Sequence, residues 1–471
     1  GKITSIKSER MKFVLTDWIT ANISFMLFNV FRYFDSEYDT FSFESLFRFL
    51  GLTKLCIEQA IVPLFMLFIY WLSGFYNRPF GKSRFSELLN TAIVSAIITI
   101  IIHLALLTND QMSEVTANIV RIILVFIIFF FFTLLGRLIV INSQIHHFKN
   151  RDWKYSAVIV GNSERAHMLA KSLKESKAVI SYSVEGFFSI PGESEHDSDA
   201  WNLNNIEEIC REYSINQIIL VPQKSDEENI LRLLYQLFPL GIPIKLSPDM
   251  LSFMTSSIKL KDIYGQPLVD LTHSSMSESE KNIKRTMDVV LSIITLLVLS
   301  PLFLILAIWV KLDSRGPIFY SQKRIGLKEK PFDIIKFRTM HPDAENNGPQ
   351  LSNDNDPRVT KAGRFMRKYR LDELPQFWNV LRGDMSIVGP RPEREFFSKQ
   401  IVKIAPYYAW LYQTRPGITS WGMVQYGYAS SIDQMVERSK YDLIYMSNMS
   451  ILVDLKIMLY TVLTILDGRG K

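Results

Sequence analysis

The sequence predicts a membrane protein of α and α/β class, and three observations carry that expectation. Within residues 1–150 of the 471-residue chain lie four apolar stretches of roughly spanning length. Over 151–270 the pattern changes to short apolar strands alternating with helical segments. A further apolar run at 288–310 is interrupted at its centre by Ser300-Pro301. Hydrophobic residues make up 48% and charged residues 21%, a balance that excludes a disordered chain.

The four early stretches are 13–34, 55–76, 88–107 and 119–141, and a helix needs about 20 apolar residues to cross a hydrocarbon core. The first is the weakest, because Asp17, Asn22 and Asn29 interrupt it. A cleaved signal peptide is not expected, since three further stretches would stay unexplained. Loop charge sets the orientation. Lys2, Lys7, Arg10 and Lys12 precede the first stretch; Arg78, Lys82 and Arg84 follow the second; Lys149, Arg151 and Lys154 follow the fourth. The intervening loops are acidic, with Asp35, Glu37 and Asp39 in one and Asp110 and Glu114 in the other. The N-terminal tail and residues 142 onward are therefore expected in the cytoplasm. His103, inside the third stretch, reads as interfacial or hydrogen-bonded packing in preference to a functional group. The net charge of +6 suits phosphates, nucleic acid or an acidic membrane surface, and the apolar stretches explain that balance better than nucleic acid does. Cys56 and Cys210 form no CxxC pair, so neither a disulfide framework nor a zinc site is indicated.

In the middle region Ala157–Val160 reads as a buried strand ending at Gly161, followed by a helix from Asn162. Further strands are expected at 184–188, 217–221 and 242–246, giving a small parallel α/β domain with right-handed crossovers. A dinucleotide fingerprint fails there, because Ser163 and Ala166 stand where the second and third glycines belong. A structural or regulatory domain is favoured, with a nucleotide at the helix N-terminus as the alternative.

The run at 288–310 admits two readings. Pro301 removes a helical hydrogen bond, and Ser300 can re-satisfy the freed carbonyl. Lys281, Lys284 and Arg285 before it and Lys311 and Arg315 after it suit a helix that enters and leaves one face, while a kinked full span is the other reading.

Asp372-Glu373 is the chemically richest feature. It sits in the basic segment Arg364-Phe-Met-Arg367-Lys368-Tyr-Arg370-Leu-Asp372-Glu373, and Arg391 follows between Pro390 and Pro392. Two anions amid fixed cations suit holding a metal and moving a phosphoryl group, although a bare Asp-Glu pair is usually a solvated surface feature.

Residues 281–471 resemble the bacterial sugar transferase family, the monotopic phosphoglycosyl transferases. The match runs through Lys284-Arg285-x-x-Asp288, Ser300-Pro301, Gly316-Pro317-Ile-Phe-Tyr-Ser-Gln322-x-Arg324-x-Gly326 and Phe332-Asp-Ile-Ile-Lys336-Phe337-Arg338-Thr339-Met340. It continues through Asp356-Pro357-Arg358-Val-Thr360-x-x-Gly363-Arg364, Leu371-Asp372-Glu373-Leu374-Pro375-Gln376, Gly383-Asp384-Met385-Ser386 and Val388-Gly389-Pro390-Arg391-Pro392. Arg415-Pro416-Gly417-Ile418-Thr419 and Tyr441-Asp442 close it. The spans and α/β domain ahead of it look like the long form of the family.

The resemblance implies transfer of a sugar 1-phosphate from a UDP-sugar to polyprenyl (undecaprenyl) phosphate with release of UMP, as the first membrane step of exopolysaccharide, capsule or O-antigen assembly. It implies three parts: four transmembrane helices in 1–150, a Rossmann-like cytoplasmic domain in 151–270, and a mainly helical catalytic domain in 281–471. Within the last, helix 288–310 would re-enter the membrane at Ser300-Pro301. Asp372 would be the covalent nucleophile, and Glu373, with Asp372, would hold Mg²⁺. Arg391, Lys336, Arg338, Arg364 and Arg370 would bind phosphate or supply positive field, and Asp442 matches a position near the active site. Around Trp421 the chain departs from the family's pattern. The setting implied is the bacterial inner (plasma) membrane, with a homodimer among the expected assemblies and no nucleic acid.

Two other readings weigh less. A nucleotide-sugar dehydratase or epimerase would need the complete glycine fingerprint and a Tyr-x-x-x-Lys pair. A non-catalytic scaffold would not need the intact Asp372-Glu373 and Pro390-Arg391-Pro392.

Overall fold

A computed structural model describes residues 6–35, 42–82, 84–107, 115–150, 153–175, 182–193, 199–223, 232–234, 236–247, 269–270, 275–342, 344 and 356–466. The chain divides into two compact units, Gly1–Ser156 with Lys171–Val184, and Ala157–Ala170 with Glu185–Lys471.

The first unit is built from helices α1 (Ile6–Asp35), α2 (Phe43–Leu50), α3 (Leu52–Leu72), α4 (Arg84–Leu107) and α5 (Val115–Lys149). Among the described residues three segments are long and apolar enough to cross a membrane: Ile6–Phe34, Arg84–Ala105 and Ile119–Phe148. The stretch expected at 55–76 is cut short: its apolar part is Cys56–Leu72, because the helix is capped at Ser73 and the chain turns at Gly74 with φ 78°. The bundle is arranged inside out. Isoleucine, leucine and phenylalanine face outward along α4 and α5, while Asp17, Glu87, Thr91, Ser95, Thr99, Thr133 and Arg137 are buried. At its centre Arg137 Nε and Nη2 donate to Asp17 at 3.0 Å each, and Nη1 donates to Glu87 Oε1 at 2.8 Å. Tyr76 donates to Asp17 Oδ2 at 2.8 Å, and the Arg137 guanidinium lies 3.7 Å from the Phe75 ring centre.

The α/β domain follows: β1 (Tyr155–Val160), α6 (Glu164–Glu175), β2 (Tyr182–Ser189), β3 (Trp201–Asn202), α7 (Ile206–Glu212), β4 (Gln217–Leu220), β5 (Ile244–Leu246) and β6 (Val269–Asp270). The strand order is β3-β2-β1-β4-β5-β6, the arrangement of a doubly wound sheet with one added edge. β1 with β4, β2 with β3 and β4 with β5 pair in parallel, and β6 adds antiparallel to β5. The four strands expected from the sequence are β1, β2, β4 and β5, while β3 and β6 are two-residue edges with no readable period. Residues 157–160 and 218–221 are wholly buried, as strands covered on both faces must be. Gly161 carries φ 134°, and a Cβ there would meet the Val221 carbonyl oxygen at 2.2 Å. Its glycine is thus explained by close backbone approach.

The remaining part begins with α8 (Glu278–Val298), opened by a capping box between Ser277 and Glu280, and α9 (Ser300–Asp313). The two meet at 63°. Pro301 has no N–H for the Leu297 carbonyl four residues back, and Ser300 Oγ donates to that oxygen at 2.8 Å in its place. α8 is inverted like the bundle. Lys284, Asp288 and Ser292 lie four residues apart on its buried face, and Val290, Ile294 and Leu297 are exposed. Lys284 donates to the Val388 carbonyl and pairs with Asp454; Asp288 accepts from Ser386 Oγ and Ile387 N–H. Polar anchors thus fasten the hairpin to the domain while its apolar side faces outward.

Next come the antiparallel strands β7 (Phe319–Ile325) and β8 (Pro331–Phe337), α10 (Lys361–Lys368), α11 (Gln376–Arg382), β9 (Ser386–Val388) and α12 (Glu395–Ile404). β10 (Gly417–Thr419) pairs in parallel with β9, and α13 (Trp421–Gln425), α14 (Ile432–Ser447) and α15 (Ile451–Leu466) complete the chain. On α15 Asp454 and Ile457 are buried, while Leu452, Leu459 and Leu463 are exposed.

Candidate active site

The carboxylates are delivered by a short, tightly held turn. Arg370 takes up the left-handed conformation with φ 54° after α10, and Leu371–Glu373 forms one 3₁₀ turn. A non-glycine residue held there stores roughly 1–3 kcal/mol of strain, which its surroundings must offset. Arg370 Nε and Nη2 donate to Glu373 Oε2 at 3.1 and 2.7 Å, closing the turn from the side-chain end. Leu371 and Leu374 pack on Leu306, Val310, Phe337 and Met366, so both sides of the turn are anchored in apolar core. A 3₁₀ turn rotates about 120° per residue, so the adjacent carboxylates separate more than the 100° of an α-helix.

Arg391 is placed by a different device. The Pro390-Arg391-Pro392 segment leaves β9 at Gly389, which faces Gly417 so closely that a Cβ on Gly417 would lie 2.2 Å from the Gly389 nitrogen. Gly417 N–H donates to the Pro390 carbonyl at 2.9 Å. Asp442 Oδ2 accepts from Arg391 N–H at 3.3 Å, and Asp442 Oδ1 accepts from Gly422 N–H at 2.7 Å. Asp442 is therefore a buried bracket joining the arginine loop to α13.

Both elements open onto a cavity of about 410 Å³, to which β7 and β8 contribute Arg324 and Lys336. Nine lysine or arginine side chains line it against three carboxylates, Asp372, Glu373 and Glu393. This excess of fixed positive charge is what a di-anionic ligand needs. Glu373 is the hub: Lys336 Nζ donates to Oε1 at 2.8 Å, Arg391 Nη2 to Oε1 at 3.3 Å, and Arg370 to Oε2. Burial opposes its ionisation, but Arg370, Lys336 and Arg391 together hold its carboxyl well below the usual range. Asp372 is pushed the other way, by burial first and by the charge of Glu373 beside it, against the pull of Lys336. Two neighbouring carboxylates are thus driven apart in acidity, a pattern that separates chemical roles.

The expected site residues do not all converge. Asp372, Glu373, Lys336, Arg370 and Arg391 line the cavity together. Arg338 reaches its wall, but its guanidinium is committed to the Pro317, Arg315 and Ser314 carbonyls and the Ser314 hydroxyl, so it clamps the end of α9. Arg364 stands outside the cavity lining: Ala362, Gly363 and Met366 form the buried face of α10, which leaves Arg364 exposed. Asp442 lies behind Arg391 and is also absent from the lining. The cavity lining also includes Arg367 of the basic segment, and Arg324 and the Glu393–Arg438 ion pair, which the sequence did not single out. Arg324 stood in a quoted motif, and strand alternation from Gln322 places both side chains on one face of β7.

The chain matches the family described as bacterial sugar transferase over residues 279–468, and a model described as a CoA-binding domain over 72–248. It is 33% identical over 312 residues to the UDP-glucose:undecaprenyl-phosphate glucose-1-phosphate transferase of Escherichia coli K12, covering 66% of this chain and 67% of that protein. A UDP-N-acetylgalactosamine-undecaprenyl-phosphate N-acetylgalactosaminephosphotransferase from Aeromonas hydrophila is 38% identical over 229 residues, 49% of this chain and 53% of that one. A UDP-glucose:undecaprenyl-phosphate glucose-1-phosphate transferase from Klebsiella pneumoniae is 32% identical, covering 60% and 62%. These alignments span about half to two thirds of the relatives' lengths. Apolar helices, an inverted hairpin and a cation-rich cavity around paired carboxylates together define a membrane-associated, anion-handling protein. The chain belongs to the bacterial sugar transferase family.

Proposed function

We propose that this protein transfers a sugar 1-phosphate from a UDP-sugar to undecaprenyl phosphate, releasing UMP. The observation that carries the proposal is the split carboxylate pair Asp372-Glu373 in a cavity with far more cations than anions. The names of the relatives support the reaction class, and they differ in the sugar.

In the first half-reaction an Asp372 carboxylate oxygen attacks the phosphorus that bears the sugar. The bond from that phosphorus to the oxygen bridging it to UMP breaks, and UMP leaves with the electron pair. The aspartyl phosphosugar that results is attacked by a phosphate oxygen of the acceptor lipid, which restores the Asp372 carboxylate. Lys336, Arg370 and Arg391 neutralise the diphosphate and the leaving charge. Asp372 must be ionised to attack, and the cations around it favour that form once the competing burial is offset.

Mg²⁺ is part of the proposal. Among the described residues no three His, Cys, Asp or Glu side chains gather as a closed metal cage. Magnesium commonly takes only one or two carboxylates and leaves its other positions to water and phosphate, so the adjacent pair fits as a donor set. Glu373 would hold the ion, with Asp372 beside it, and the metal would supply additional charge neutralisation at the diphosphate. Glu373 would then share its oxygens between the metal and the cations that now bind them.

The α8–α9 hairpin is proposed to re-enter the membrane from the cytoplasmic face, with α3 completing a fourth span and the setting being the inner membrane. Basic residues at both ends, outward apolar side chains and the 63° bend support this arrangement. Cysteines introduced at Lys281 and Arg315 are expected to be labelled from the cytoplasmic side only; labelling from opposite sides establishes a through-going span.

The deciding experiment is a panel of UDP-sugars with undecaprenyl phosphate, read by UMP release, which also identifies the sugar. Asp372→Asn is expected to lower turnover by about a thousandfold or more, the scale of losing a covalent nucleophile. Near-wild-type turnover in that variant refutes the mechanism. Chelation by EDTA is expected to stop turnover and added Mg²⁺ to restore it.

A further inference from the structure

One aromatic line runs from the outer face of the hairpin to the carboxylate turn, and the chemistry described above does not use it. On α9 the exposed Ile305, Ile308, Trp309 and Leu312 share one side, as positions three and four apart on a helix do. The Trp309 ring centre lies 5.3 Å from that of Phe365 on α10, and Phe365 lies 5.0 Å from Tyr369. Phe365 is 44% exposed and Trp309 38%, although each is large and apolar. Tyr369 is followed directly by Arg370, whose guanidinium holds Glu373 and which lines the cavity. An apolar track with a cationic end is complementary to one kind of ligand: a long hydrocarbon chain with an anionic head.

We propose that Trp309, Phe365 and Tyr369 form the docking track for the isoprenoid tail of the acceptor lipid, leading its phosphate to Arg370 and Asp372. The proposal deepens the transferase reading and rests on it. The track approaches the turn from the α9 side, so the tail stays against the apolar hairpin while the phosphate alone enters the cationic cavity. That arrangement lets a very insoluble substrate react without leaving the membrane. It also separates the substrates in space, since the track plays no part in holding a UDP-sugar.

The test uses the full chain in lipid nanodiscs and reads the two half-reactions separately. Trp309→Ala with Phe365→Ala is expected to leave the burst of UMP formed without acceptor unchanged. It is expected to raise KM for undecaprenyl phosphate by about tenfold, equivalent to ~1.4 kcal/mol of binding. A phosphate carrying a chain of about ten carbons is expected to react equally well with variant and wild type, because it is too short to occupy the track. Leu459→Ala with Leu463→Ala on α15 removes exposed apolar surface elsewhere and is expected to leave KM unchanged. An unchanged KM in the aromatic variant overturns the proposal, as does an equal rise in the α15 variant, which would mean general lipid contact only. A photoreactive polyprenyl phosphate added without UDP-sugar keeps the two readings distinct. Crosslinks at residues 305–312 and 365–369 support the track even if no UMP burst is seen, and crosslinks confined to other segments overturn it.

Discussion

Arg137 in the helical bundle and Glu373 in the cavity are both buried charges held by several opposite ones, yet they stand in opposite situations. Arg137 lies between two carboxylates, with Thr91 as a further partner, and its neighbour Asp17 is also capped by Tyr76. Lys82, 4.0 Å from Glu87, brings the local sum to two cations and two anions. Glu373 is a single anion among three cations, in a cavity where cations outnumber carboxylates nine to three. The first arrangement is closed: each charge has found its partner inside the fold. The second is open: it lines a cavity that presents more cations than carboxylates, and that imbalance suits an anion from outside. Charge balance thus tells a structural knot from a binding site when burial alone would not.

The largest expected effect breaks the closed knot. Arg137→Met leaves Asp17 buried without its cation and Glu87 with Lys82 alone, a change that costs about 3–5 kcal/mol in comparable buried pairs. The thermal midpoint in detergent should fall sharply. Neutralising all four groups, by Arg137→Met, Lys82→Met, Asp17→Asn and Glu87→Gln together, should recover most of that loss. If the quadruple variant is no better than the single one, the knot is not a balanced unit.

The same operation on the open cluster should act on activity instead. Arg391→Gln removes one cation from an excess, so the thermal midpoint should hold or rise slightly. UMP turnover should fall by about a hundredfold, near the effect of deleting one oriented charge donor at a transition state. A variant that is destabilised as strongly as Arg137→Met would show that Arg391 is structural.

The sequence and the fold part company where contacts are distant. The strands β1, β2, β4 and β5 were legible because buried parallel strands read as short apolar runs. Asp372, Glu373 and Arg391 were legible because the family motifs fix their spacing. Asp17 was read only as a flaw in an apolar stretch, and Arg137 drew no notice. Nothing local shows that Arg137 meets Asp17 120 positions away and Glu87 50 positions away. That Arg364 lies outside the cavity lining was illegible for a related reason: the side of α10 that faces the cavity is decided by what packs against Ala362 and Met366. Arg338 was legible as a cation but not as a clamp, since its partners are backbone carbonyls that carry no sequence signature.

A smaller effect concerns how Arg391 is held. Burial raises the Asp442 carboxyl to about 6, against the lowering pull of the Gly422 and Arg391 backbone N–H groups. Its ionised form is the better acceptor for both donors, so kcat/KM should decline as pH falls through about 6. The sign for stability is opposite. A carboxyl raised in the fold keeps its proton where the unfolded chain has lost it, so its contribution to stability falls as pH rises from about 4 to about 6. Asp442→Asn should flatten that acid limb of the rate profile while lowering turnover overall. A limb that stays at the same pH in the variant assigns it to another group.

The smallest expected effect lies at the hairpin bend, between the closed and the open regime. Ser300 Oγ supplies the Leu297 carbonyl with the donor that Pro301 cannot. The site is exposed at the apolar side of the fold, where no water competes once lipid covers it. Ser300→Ala should cost about 1 kcal/mol, the scale of single side-chain hydrogen bonds within membrane proteins, with a UMP burst close to wild type. Ser300→Ala combined with Pro301→Ala restores an ordinary helical N–H at the bend and should recover that stability. The helix then has no reason to break, so the angle between α8 and α9 should open. If the hairpin's bend is what brings the acceptor lipid to Asp372, the double variant keeps its UMP burst and loses transfer to undecaprenyl phosphate. Transfer at the wild-type rate would mean that the anchors on Lys284 and Asp288 hold the hairpin without help from the break.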